Sequence, residues 1–62
     1  MAKVGDNIEA TVKDNKLIIV VDLKKEIGES KSGKNMNIAS TRGNKEVAPG
    51  IIAGINIYKP IN

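Results

Sequence analysis

Cysteine and histidine are both absent from the 62 residues. Their absence excludes disulfides, structural zinc sites, thiol redox chemistry, Cys and His nucleophiles, histidine general bases and histidine pH switches. Aromatics are nearly missing too, since there is no Phe or Trp and Tyr58 stands alone. Single-strand binders usually stack bases on aromatic platforms, so any nucleic-acid contact made here is expected to fall on phosphate. The longest apolar run, Leu17 to Val21, is five residues, against about 20 for a bilayer-spanning helix. The opening Met1-Ala2-Lys3-Val4-Gly5-Asp6 carries no apolar signal-peptide core. No membrane segment is expected, and the expected location is cytoplasmic.

Small size limits the chain further. At 6.6 kDa it supports one domain over 1–62. Folding such a chain takes it from about 9,600 to about 3,900 Å² of accessible surface, or about 60% burial. At that size hydrophobic burial and ordering cost nearly cancel, and small domains add disulfides, a metal or a partner subunit. The first two are excluded, which leaves homo-oligomerisation. Nine Lys and one Arg against seven acids give a net charge of +3, which suits phosphate binding and is equally ordinary for solubility.

What the chain has in abundance is β-branching: ten Ile, five Val and two Thr against two Leu. Branched side chains favour the pleated surface. Ile8-Glu9-Ala10-Thr11-Val12-Lys13 alternates with period two, Asp14-Asn15 follows, and Lys16 to Leu23 is a second apolar stretch. This spells a hairpin on a two-residue type I′ turn, with Lys13 facing Lys16, Val12 facing Leu17, Ala10 facing Ile19 and Ile8 facing Val21. A slip by one residue would drive Glu9 and Lys13 into the core. Ile18 and Val20 make the second face of the second strand apolar as well.

Residues 24–33 are polar, charged and contain Gly28 and Gly33, which predicts a long loop, flexible or functional. Lys34 to Thr41 reads as a third strand with Met36 and Ile38 inward. Arg42-Gly43-Asn44-Lys45 reads as a turn opposing Arg42 to Lys45, and Glu46-Val47-Ala48 as a short strand ended by Pro49-Gly50. Residues 51–59 fit both a strand (Ile51, Ala53, Ile55, Ile57) and a helix (Ile51, Ile52, Ile55, Tyr58), with Gly54 and Asn56 favouring the strand. Residues 1–6 and 60–62 are expected as tails. The expected core is Ile8, Ala10, Val12, Leu17, Ile19, Val21, Met36, Ile38, Ile55 and Ile57.

Gly28 to Lys34 fits seven positions of the phosphate-cradling pattern G-x-x-x-x-G-K-[ST]. Asn35 replaces the metal-binding hydroxyl at the eighth, and a strand follows where a helix is required. A smaller expectation survives: an anion nest at Ser32 and Gly33 flanked by Lys31 and Lys34. The hairpin tips carry opposed bases, Lys13 with Lys16 and Arg42 with Lys45. With Lys31 and Lys34 these six are the expected phosphate contacts, although Lys at tips and edges also blocks sheet-to-sheet aggregation. Ser30, Ser32, Ser40, Thr11 and Thr41 have no histidine partner, and the seven acids lie scattered among lysines. No catalytic residue, metal or cofactor is expected.

Ser30-Lys31-Ser32-Gly33-Lys34, Ala39-Ser40-Thr41-Arg42-Gly43-Asn44 and Gly54-Ile55-Asn56-Ile57-Tyr58-Lys59 together resemble a group of small uncharacterised prokaryotic and phage-type β proteins. In that group a strand leads to S-x-S-G-K, A-S-T-x-G-N and G-[LI]-N-x-Y-x-K segments, and the resemblance implies no function. A looser similarity, of size and β content, links the chain to single-stranded-DNA-binding transcriptional coactivators, whose small curved sheet dimerises. The sequence therefore predicts an all-β fold: a four- to five-stranded, mostly antiparallel curled sheet or barrel-like fold completed by oligomerisation, with Ile18, Val20 and Ile52 at the subunit interface. The expected function is non-enzymatic binding of nucleic-acid phosphates. The alternative is a homo-oligomeric protein-interaction or structural module.

Overall fold

The computed structural model describes residues 2–61. It contains six strands: β1 (Ala2–Gly5), β2 (Ile8–Lys13), β3 (Lys16–Val20), β4 (Gly28–Glu29), β5 (Asn35–Ala48) and β6 (Ile51–Pro60). There is no helix among the described residues. The strands form two antiparallel sheets of three, ordered β1-β2-β3 and β4-β5-β6, and neither closes into a barrel. The single four- to five-stranded sheet expected from periodicity is corrected accordingly. Two of the six strands are too short for alternation to mark them: β1 and β4 are added to sheet edges by backbone pairing, Ala2 opposite Ala10 and Gly28 opposite Asn37.

The expected tails are corrected in the same way. Residues 2–5 form β1, and β6 runs on to Pro60, after which the Ile61 amide donates to the Lys34 carbonyl at 2.8 Å. Met1 and Asn62 lie outside the described residues. The 24–33 loop is interrupted by β4.

The β2–β3 hairpin has the register read from its alternation, Lys13 opposite Lys16, Val12 opposite Leu17 and Ala10 opposite Ile19. Asp14 and Asn15 both take positive φ, 52° and 64°, as a type I′ turn requires. The strand stops at Val20, opposite Glu9, so the expected Ile8–Val21 pair is not formed; Ile8 pairs on its other side with Gly5 of β1.

The second hairpin is not where the sequence placed it. β5 runs unbroken for 14 residues and turns at Pro49-Gly50, with Gly50 at φ 75° as in a type II turn. Arg42-Gly43 makes a bulge instead of a tip. Ser40 faces Asn56 and Asn44 faces Gly54, so Thr41, Arg42 and Gly43 together stand opposite Ile55. Positive φ at Arg42 (51°) and Gly43 (100°) extrudes the extra residues. Residues 51–60 are strand, with Ala53, Ile55 and Ile57 half-buried and Ile52, Asn56 and Tyr58 outward.

The sheets meet where β1 and β2 lie on β5. Asp6 and Ser40 exchange both backbone hydrogen bonds, at 2.8 and 3.2 Å. Gly5 permits this approach, because a β-carbon there would stand 2.5 Å from the Ser40 carbonyl oxygen and 2.7 Å from the Thr41 Cα. Asn7, at φ 61°, donates through Nδ2 to the carbonyls of Asp22 and Ile38, both at 2.9 Å, and so ties β3's end to the second sheet. Around this junction Ile8, Ala10, Ile38, Ala39, Val47 and Thr41 are buried. Met36, Ile55, Ile57 and Val21 are half-buried. Val12, Leu17 and Ile19, expected in the core, are exposed, because the outer part of the β2–β3 hairpin does not pack on the second sheet, and Val12 and Leu17 are separated from its tip by an open cleft.

Candidate interaction surface

Thr41 shows how the bulge is held. Its Oγ1 accepts the Ile55 amide at 2.9 Å and lies 2.6 Å from the Gly43 carbonyl, to which it donates. Ser40 Oγ donates to Asn56 Oδ1 at 2.8 Å and accepts the Arg42 amide at 2.9 Å. The two sequence segments 39–44 and 54–59 are therefore complementary halves of one bulged hairpin. No described side chain leaves a buried polar atom without a partner.

The segment 30–34 closes the β4–β5 hairpin. The Gly33 amide donates to the Ser30 carbonyl (2.9 Å), the Lys34 amide to Ser32 Oγ (3.4 Å) and the Asn35 amide to Ser30 Oγ (3.2 Å). The expected anion nest at Ser32 and Gly33 thus has the Gly33 amide engaged within the loop. The phosphate-cradling pattern is followed by a strand, as its sequence predicts: Gly28 opens β4, Gly33 lies in the β4–β5 turn, and no helix stands behind them to aim amides at a phosphate.

The six basic residues do not converge. Lys13 and Lys16 oppose each other at the β2–β3 tip, Lys31 and Lys34 sit in the β4–β5 turn, and Arg42 and Lys45 lie along β5. Arg42 and Lys45 do not face each other across a tip, since Lys45 pairs with Ala53. Arg42 Nε is hydrogen-bonded to Asp6 Oδ2, and this interaction holds the Asp6 carboxyl below its ordinary value. The hydrogen bond contributes most and the Arg42 charge next, with Lys3 and Lys25 adding to them. The second ion pair among the described residues joins Lys59 and Glu26 at 2.7 Å. Lys13, Lys16, Lys31, Lys34 and Lys45 have no ion-pair partner among those residues. An open cleft of about 390 Å³ lies between Lys3, Gly5, Asp6, Arg42, Lys45 and Glu46 and is lined by both signs of charge.

Apolar exposure is far more extensive. All five residues of β3 are exposed, and the expected interface residues Ile18, Val20 and Ile52 retain 40%, 44% and 59% of their accessibility. On the opposite face of the hairpin, Val12 and Leu17 line a second cleft of about 390 Å³ against Ala48, Pro49 and Ile51. The described residues contain no cluster of three or more metal-binding side chains, and no helix long and apolar enough to cross a membrane. Comparison with protein-family models, curated proteins and solved structures finds no match to the chain.

Proposed function

We propose that this protein is a non-enzymatic interaction module whose working form is an assembly of identical copies, completed through the apolar surface around β3. The observation that carries this reading is the accessible area. The folded chain exposes 4655 Å², about 750 Å² more than the ~3,900 Å² expected of a compact monomer of its mass. The radius of gyration, 12.5 Å, likewise exceeds the ~10.5 Å of a compact chain of this length, and the molecule measures 40 × 20 × 14 Å. A standard interface removes about 800 Å² per partner. Sedimentation equilibrium from micromolar to millimolar protein tests the reading: the mass should rise above 6.6 kDa with concentration, and a fixed monomer mass across that range overturns it.

A second reading keeps nucleic-acid phosphate as the ligand. What favours it is that Lys13, Lys16, Lys31 and Lys34 stand on hairpin turns without carboxylate partners among the described residues. Four such cations spaced along an elongated molecule suit contact with an extended polyanion more than a compact phosphate ligand.

A further inference from the structure

The two sheets have four edges, β1, β3, β4 and β6, and three of them are guarded against pairing with another chain. β4 is two residues long; β1 is four residues long and its register shifts between Lys3 and Gly5. β6 carries Lys59 and Pro60 at its end and follows a partner strand broken by three register shifts, which twist and bend its edge. Of these devices β3 has only a lysine, Lys16 at its turn end. It is unbulged, contains no proline, and continues as Leu17-Ile18-Ile19-Val20-Val21, a segment of high β propensity and no charge. Left bare, it is a template for indiscriminate strand addition.

Its hydrogen-bonding parity can be read from the turn. In a two-residue hairpin the residues flanking the turn form a hydrogen-bonded pair, and such pairs alternate with non-bonded ones. Lys16, Ile18 and Val20 therefore direct their backbone groups toward β2, while Leu17 and Ile19 direct theirs outward. Asn7 extends the pattern past the end of β3. Its Nδ2 donates to the Asp22 carbonyl at 2.9 Å and its Oδ1 accepts the Asp22 amide at 3.4 Å, so a side-chain amide occupies the next inward position of the ladder. The usable outer edge thus runs from Lys16 to Asp22, with Leu17, Ile19 and Val21 facing out.

We infer that β3 pairs antiparallel with β3 of a second copy about a two-fold axis at Ile19, an inference that rests on the assembly reading above. In this register Ile19 faces Ile19 of the partner subunit and Leu17 faces the partner's Val21, both as hydrogen-bonded pairs. Ile18 faces the partner's Val20, and Lys16 faces the partner's Asp22. Two-fold registers centred at Ile18 or Val20 keep the same parity but pair only residues 16–20 or 18–22 of this edge, whereas this one pairs the whole edge from Lys16 to Asp22 and matches opposite charges at both ends. It also places a carboxylate beside Lys13 and Lys16, whose like charges oppose each other within one chain. Asp22 is free for this role: one carboxylate oxygen receives the Lys24 amide at 2.9 Å, and the side chain is exposed. The product is a six-stranded sheet, β1-β2-β3 continued into the same three strands of the second copy.

Because the chain has no cysteine, a single introduced thiol reports on self-proximity. Ile18→Cys, Ile19→Cys, Val20→Cys and Ile52→Cys are oxidised separately, with the mass of each unoxidised variant measured alongside. At the Ile19 pair the Cα separation of about 5.5 Å suits a disulfide, so Ile19→Cys should cross-link fastest. A concentration-dependent dimer in which another position cross-links fastest overturns this register and leaves the assembly reading standing. A monomer at all concentrations overturns both. A second test avoids the apolar residues: Lys16→Glu and Asp22→Lys should each weaken self-association about tenfold by setting like charges across both ends, and an equimolar mixture should recover it. Failure of the mixture to recover rules out the Lys16 to Asp22 contact.

Discussion

Asn7 joins three separate parts of the chain through one side chain. A left-handed backbone lets it turn β1 into β2, and its amide reaches Asp22 and Ile38, 15 and 31 positions away. Asn7→Gly keeps the backbone conformation and removes the bridges, and chemical denaturation should show a loss of about 2 kcal/mol. Asn7→Ala should lose about 1 kcal/mol more, the added penalty of a β-carbon in the left-handed region. Asp6 gives a pH signature. Its folded pKa lies below the unfolded one, so the unfolded chain binds more protons in acid. The Arg42 pair therefore stabilises fully above the ordinary carboxylate value near 4 and is lost as pH falls through the depressed one. Stability measured from pH 6 to pH 2 should fall less steeply in Asp6→Asn than in the native chain. Neither role was legible in the sequence. An Asn before an alternating run announces a turn, and its long-range partners depend on which strands come together.

At the scale of elements, the β2–β3 hairpin was readable in register from Lys13–Lys16 to Ala10–Ile19 because its turn chemistry and its alternation agree. The β5–β6 hairpin was misread because Gly43-Asn44 looks like a tip residue pair, whereas Thr41 supplies a hydroxyl that fills the missing ladder position and lets the strand continue. β1 and β4 were invisible for a related reason: edge strands of two to four residues are recruited by a neighbour's unpaired backbone and need no apolar pattern of their own. Two glycines separate close approach from spare room. Gly5→Ala drives a β-carbon into the β5 backbone and should cost about 1–3 kcal/mol as an overpacked contact. At Gly54 the obstacle is the Asn44 side-chain oxygen at 2.8 Å, which can rotate away, so Gly54→Ala should fall within about 1 kcal/mol of the native chain. Thermal melts of the two variants side by side check the ranking.

For the whole molecule, composition already indicated a chain short of core, and the structure locates the deficit. Burial gathers at the β1, β2 and β5 junction, and β3 lies beyond it. The candidate interface was partly legible, since Ile18 and Val20 announce a second apolar face, while the choice of edge depended on which other strands were guarded. Of the basic residues expected on two hairpin tips and a Gly/Ser/Lys loop, Lys13, Lys16, Lys31 and Lys34 stand on turns, while Arg42 and Lys45 lie in the middle of β5 because Arg42 sits in a bulge beside Asp6. If phosphate contact is made, fluorescence anisotropy with labelled oligonucleotides should show micromolar binding that weakens steeply from 50 to 300 mM salt. Replacing Lys31 and Lys34 with Gln should then lower the salt slope by about two. No binding at low salt removes that reading.

The two hairpins also set an order of events in time. Each closes on a two-residue turn, so each can zip on the scale of about 1–10 μs from local contacts alone. The Asn7 and Asp6 partners lie 31 and 36 positions away, and that long closure comes with little apolar reward until both hairpins exist. Docking of preformed halves is then the slow step, and during that interval the bare β3 edge is at its most exposed to other chains.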